Sequence, residues 1–139
     1  MNNTKRLGLM GELKAQYDFI KMGYEVSIPL GDYLPYDLIA IKDGKLIKIQ
    51  VKTTENVKEG KMIFDLTSQN YYISKKYTEN DIDIFYLYCL ETEKSYILPV
   101  KDAPNCGKWY LRIEPTKNNQ IVGINFAWDY EFDKKIKTI

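Results

Sequence analysis

Leu9, Leu13, Tyr17 and Ile20 recur at spacings of four and three near the start of the chain, the period of one face of an α-helix. The pattern predicts a helix over residues 3–22, with Asn3 or Thr4 available to cap its start and Gly23 to stop it. Beside that row runs a second one of Gly8, Glu12, Ala15 and Phe19. Glycine inside a helix costs about 1 kcal/mol relative to alanine. Gly8 and Gly11 therefore imply that another element packs closely on this part of the helix, with Glu12 beside them.

After the helix the period changes to two. YEVSIPL reads as a short strand, and GDYLP as a loop in which Pro35 holds Leu34 out of helix. The runs 36–41 and 46–53 flank Asp43-Gly44, one of the strongest two-residue hairpin turns. Closing the hairpin there pairs Lys42 with Lys45 and brings Asp37 opposite Gln50, with Lys52 two positions further along the same face. Leu38, Ala40, Ile47, Ile49 and Val51 form the apolar opposite face, and a slip of one residue would turn that set out of the core.

Residues 64–81 (FDLTSQNYYISKKYTEND) suggest a short helix or loop carrying Tyr71, Tyr72 and Tyr77. IDIFYLYCLE and KSYILPV read as a second hairpin of buried strands turning at residues 91–94. WYLRIEP predicts another strand, residues 117–120 a polar turn, and the segment after it a final strand. There is no internal repeat, low-complexity linker or glycine-rich phosphate loop. The expectation is one α/β domain over residues 1–139, with a mixed central β-sheet flanked by the first helix and one further helix.

Composition narrows the chemistry chiefly through an absence. The chain has no histidine, which removes Ser-His and Cys-His nucleophile pairs, His-ligated zinc and any imidazole general base. Cys89 and Cys106 lack CxxC spacing and are expected to be thiols in a reducing compartment. No run of eighteen apolar residues or signal-peptide core occurs, so a cytoplasmic location is expected. The net charge of +1 lacks the basicity of many nucleic-acid binders. Locally, residues 42–61 hold six lysines against three acids, and residues 81–93 four acids and no base.

Asp37, Gln50 and Lys52 at one end of a hairpin match what metal-dependent phosphodiester hydrolysis can use. Mg²⁺ keeps several waters and takes one or two carboxylates plus substrate oxygens. Asp37 suits the main ligand, the Gln50 amide and Val51 carbonyl further positions, and Glu12 a second carboxylate. Lys52 can hold an attacking water or stabilise charge on phosphorus. Lys117, Asn118, Asn119 and Gln120 carry donors suited to base edges or phosphates of DNA, although a turn explains Asn-Asn equally well. The tyrosines, Ser68 and Gln69 stay undecided between packing and contact with bases.

A helix glutamate (Glu12), then PYDLI, then IQVK resembles the PD-(D/E)XK nuclease superfamily, in particular its intron-encoded homing endonucleases. The similarity to that branch runs from the GE of the first helix through DIDIFYLYCLETEKSYILPV to the final DYEF. The resemblance implies a restriction-endonuclease-like core and a Mg²⁺-dependent endonuclease, with Mn²⁺ able to substitute. It also implies double-stranded DNA as a sequence-specific substrate and Asp37, Glu12, Gln50 and Lys52 as the catalytic set.

Two departures stand out: Tyr36 separates Pro35 from Asp37, and Gln50 occupies an acidic position, contributing an oxygen without charge. A domain this small cannot by itself cut both strands of a long site, so a dimer or tetramer is expected. The rivals are a structure-specific junction or repair nuclease, and a non-cleaving DNA-binding module on the same fold.

Overall fold

The computed structural model describes residues 3–69, 74–105 and 107–139. Helix α1 spans Asn3–Lys21, and a five-stranded sheet follows from β1 (Glu25–Ser27), β2 (Leu38–Lys42), β3 (Lys45–Thr54), β7 (Ile84–Cys89) and β8 (Lys94–Pro99), in that spatial order. Between β3 and β7 lie β4 (Lys61–Asp65), β5 (Thr67–Gln69) and β6 (Ser74–Lys76), and after β8 comes β9 (Lys108–Arg112). β3 and β7 run parallel while the other neighbours in the sheet are antiparallel, so the sheet is mixed, as expected. Every residue of β7 is buried, which suits a strand covered on both faces.

The first hairpin has the predicted register. Lys42 pairs with Lys45 and Leu38 with Ile49. Asp43 (φ 51°) and Gly44 (φ 77°) both adopt the positive φ that a two-residue turn of matching twist demands. Ile47, Ile49 and Val51 point to one face of the sheet, into a core shared with Ala15, Phe19, Tyr86 and Phe132. The opposite face, which carries Phe85 and Leu87 of β7, packs on Met62, Phe64, Tyr77 and Trp109, where β4 and β9 pair as a separate ribbon.

Helix α1 turns a different face inward from the one its periodicity suggested. Leu9, Leu13, Tyr17 and Ile20 are 53–59% exposed, and the buried residues are Gly11, Ala15, Asp18 and Phe19. Small side chains on that second row let the helix axis approach the sheet, which four large apolar residues would hold off. A Cβ on Gly11 would overlap Thr53 Oγ1, whereas one on Gly8 would meet nothing within 4 Å, so only Gly11 is a contact glycine.

Asp18 is buried because its carboxylate is satisfied three times: it accepts from Lys14 Nζ at 2.6 Å, Ser95 Oγ at 2.7 Å and the Tyr86 hydroxyl. Ser95→Ala is expected to cost about 1.5 kcal/mol, the lower end for a bond to a charged group, read by urea denaturation.

Two further expectations need correction. The segment after β4 is no helix or plain loop: β5 and β6 pair as a short antiparallel hairpin, while Tyr71 and Tyr72 lie outside the described residues. The end of the chain forms no final strand. Phe126 makes a single bridge to Arg112, Phe126 and Trp128 stack 4.4 Å apart, and the chain then turns through 3₁₀ segments and the one-turn helix α2 (Phe132–Lys135). Glu131 bridges Tyr96 instead, so this segment covers β8 rather than extending a sheet.

Cys89 is a buried free thiol, and Cys106 lies outside the described residues. Among the described residues, no helix is long and apolar enough to cross a membrane.

Candidate active site

The site forms where β2 leaves β3. Pairing ends at Leu38 and Ile49, and the Asp37 N–H makes one more bond, to the Ile49 carbonyl at 2.8 Å. The next donor on that edge of β3, the Val51 N–H, is taken by the Asp37 side chain, whose Oδ2 accepts it at 2.8 Å. In an extended strand the N–H and C=O of one residue point the same way. The Val51 carbonyl therefore faces the same open edge as the Asp37 carboxylate. Gln50 Nε2 donates to that carbonyl at 3.4 Å, leaving Gln50 Oε1 for another partner.

Asp37 and Gln50 line a cleft of about 380 Å³ together with Asp32, Tyr33, Pro35, Ser68 and Lys75. Glu12 arrives from α1, held near β3 by the close approach of Gly11 to Thr53 and Val51. The carboxyl groups of Glu12 and Asp37 are both pushed above the usual range. For Glu12 burial is the larger cause and the Asp37 charge the second. For Asp37 burial outweighs the opposing effects of the Val51 N–H and Lys52. Two partly buried carboxylates, one of them raised by the charge of the other, are a poor pair alone and a good pair around a cation.

Lys52 reaches the second, shorter hairpin. It lies on the same face of β3 as Gln50, but its ammonium donates to the Thr67 carbonyl at 2.8 Å and sits 5.3 Å from the centre of the Tyr77 ring. Burial lowers its pKa, opposed first by the Asp65 charge and then by Asp37. Asp65 and Thr67 escaped the sequence reading. The Asp-x-Thr spacing, which suits a side chain capping the backbone two residues on, was their available signal.

The polar turn lies elsewhere. Asn118 Oδ1 accepts the Gln120 N–H at 3.1 Å and Gln120 Nε2 donates to the Val122 carbonyl at 3.1 Å, so these side chains close their own turn. Lys117, Asn118, Asn119 and Gln120 are not among the residues lining the cleft of Asp37 and Gln50.

Among the described residues, no group of three or more Asp, Glu, His or Cys side chains stands together as a metal cage. Two carboxylates, a backbone carbonyl and an amide oxygen still fit a hard cation that keeps part of its water shell.

A carboxylate on the sheet-packed helix, an aspartate at the edge of the hairpin and a lysine two residues beyond a central-strand amide define a restriction-endonuclease-like α/β core. The chain belongs to the PD-(D/E)XK endonuclease family, whose model matches residues 2–133. Nucleases of this family generally use divalent metals. Over 98% of its length the chain is similar to the bacterial homing endonuclease I-Ssp6803I, at 28% identity and a TM-score of 0.78, covering 93% of that chain. Protein 5.3 of Escherichia phage T7 is 40% identical over 57 residues, 41% of this chain. That match takes in 48% of the phage protein, so the chain spans about half the length of the curated relative.

Proposed function

We propose that this protein is a metal-dependent endonuclease that hydrolyses phosphodiester bonds in double-stranded DNA, with Mg²⁺ as the working ion and Mn²⁺ as a substitute. The observation that carries the reading is the open edge of β3. There Asp37 and the Val51 carbonyl face outward side by side, with the Glu12 carboxylate close enough to feel the Asp37 charge.

Asp37, Glu12, the Val51 carbonyl and Gln50 Oε1 would hold the ion. Such an ion supplies Lewis-acid polarisation of the phosphate and a bound water of lowered pKa. Asp37 stays anchored through Oδ2 on the Val51 N–H, which leaves its other oxygen for the ion. Gln50 adds an oxygen and no charge, so the two carboxylates supply the negative charge of the ligand set. Lys52 offers a cationic donor on the same face as Gln50. It is suited to orienting the attacking water or to stabilising charge that develops on the phosphate oxygens.

Similarity to a homing endonuclease supports a sequence-specific duplex substrate. Cutting both strands calls for two such sites, and the exposed apolar row of Leu9, Leu13, Tyr17 and Ile20 supports an oligomer, a dimer or tetramer.

The test is cleavage of plasmid and genomic DNA by purified protein with Mg²⁺, Mn²⁺ or EDTA. Wild type is expected to cut with either metal and not with EDTA, and Asp37→Ala and Lys52→Ala to lose cutting while still binding DNA at low salt. Cutting by Asp37→Ala at the wild-type rate would falsify the site. Metal-independent binding with no cutting by wild type would favour a binding module on this fold.

A further inference from the structure

The seat of Lys52 is built more firmly than a lysine on a solvated strand face requires. Its ammonium docks on the Thr67 carbonyl and against the Tyr77 ring, and among the described residues it makes no ion pair. Both supports are fixed from behind. Tyr77 is only 8% exposed, and its ring meets Phe85 edge-on at 5.5 Å.

Thr67 is held by Asp65, whose Oδ1 accepts the Thr67 N–H at 3.0 Å and the Thr67 hydroxyl at 2.7 Å. On its other side Gly107 comes so close that a Cβ there would lie 2.9 Å from Thr67 Cγ2, and the Leu66 N–H bonds the Gly107 carbonyl at 2.6 Å. The Thr67 carbonyl thus has little freedom to swing, and the lysine docked on it inherits that rigidity.

Asp65 serves this seat in two ways. It caps the turn from β4 to β5, which aims the Thr67 carbonyl, and its charge favours the protonated Lys52 more than that of Asp37 does. Its own carboxyl feels some burial, but the two Thr67 bonds, Lys52 and Lys108 together hold it below the usual range, so it is ionised at neutral pH. A turn cap alone would explain the bonds to Thr67. It would not explain why the capped carbonyl is the one on which the lysine beside the cleft rests.

We infer that Asp65 is a positioning residue for the cleavage reaction, acting through Thr67 to hold the Lys52 ammonium at the height of the site. The inference rests on the nuclease reading above. Removing a partner that orients an active-site group typically lowers activity about 10–100-fold.

The experiment compares single-turnover cleavage of plasmid DNA with Mg²⁺ at saturating protein for wild type, Asp65→Ala and Asp65→Asn. Asp65→Ala is also placed on a Lys52→Arg background. DNA binding is measured in EDTA, and each variant is melted. Asp65→Ala is expected to cleave about 10–100-fold more slowly with unchanged DNA binding. Asp65→Asn, which keeps the oxygen that caps Thr67 but not the charge, should melt like wild type and cleave at an intermediate rate.

On the Lys52→Arg background, where a guanidinium cannot take the same seat, Asp65→Ala should add less than about twofold. Equal losses on both backgrounds, a loss found only in DNA binding, or a wild-type rate for Asp65→Ala would each overturn the inference. Metal-dependent cutting by wild type in the same assay shows that the nuclease reading stands whichever way Asp65 behaves. No cutting by wild type overturns both.

Discussion

Asp37→Asn is expected to lower metal-dependent cleavage by more than about a hundredfold, beyond the 10–100-fold typical of an outer-shell partner, while the protein melts no lower than wild type at neutral pH. The two halves of that result have one cause. The Asp37 and Glu12 carboxyls are raised from their ordinary values, mainly by burial and, for Glu12, also by the Asp37 charge. Between the unfolded and folded pKa values the native state therefore binds more protons than the unfolded chain, and its stability falls as pH rises. Above the folded pKa values the penalty is fully present; below the unfolded values it is gone.

Asparagine removes the charge and keeps an oxygen for the Val51 N–H, so the edge of β3 stays capped. Thermal unfolding followed from about pH 8 to pH 4 should show the variant matching or exceeding wild type at the neutral end, with the two converging as the acids protonate. Added Mg²⁺ or Mn²⁺ should raise the melting temperature of wild type and leave Asp37→Asn unmoved. A variant that melts well below wild type at neutral pH would make Asp37 a structural residue.

The first hairpin was legible in the sequence because both of its determinants are local. A two-residue turn fixed the register, and the alternation of Ile47, Ile49 and Val51 with Lys48, Gln50 and Lys52 fixed the faces. The same alternation placed Gln50 and Lys52 together. What it could not show was the direction of the Lys52 ammonium, which depends on Thr67 and Tyr77 arriving from the second, shorter hairpin.

Helix α1 misled for a related reason. Periodicity finds the most apolar row, and here the sheet receives the smaller row that permits close approach, together with Asp18, whose burial depends on Ser95 and Tyr86 far along the chain. The β4–β9 pairing and the irregular final segment were likewise settled by partners distant in sequence. The four donors expected around the ion, Asp37, Glu12, Gln50 and the Val51 carbonyl, could be named from the sequence. For Asp65 the Asp-x-Thr spacing signals only a turn cap, and its link to Lys52 depends on the fold.

Gly11→Ala is expected to lower both stability and cleavage, and Gly8→Ala neither. The new Cβ at residue 11 would overlap Thr53 Oγ1 and lie 3.2 Å from Thr53 Cβ and 3.3 Å from Val51 Cγ1. Thr53 cannot evade it cheaply: its side chain is β-branched and stiff, so turning the hydroxyl away brings a methyl group round instead. Nor does a hydrogen bond hold the hydroxyl, since Thr53 Oγ1 is buried with no partner among the described residues.

The helix must therefore lift from β3. Overpacking of this kind costs about 1–3 kcal/mol, against which alanine returns about 1 kcal/mol of helix propensity. Glu12, the next residue, moves with the helix, and a displacement near 1 Å at a reacting centre can cost about a hundredfold in rate.

Gly8→Ala meets open space, so it should gain up to about 1 kcal/mol and cut like wild type. Thr53→Ala added to Gly11→Ala removes the hydroxyl and should restore part of both losses, a coupling that independent sites would not show. If alanine at residues 8 and 11 gave the same melting temperature and cleavage rate, the close contact that sets Glu12 against the edge of β3 would not exist in solution.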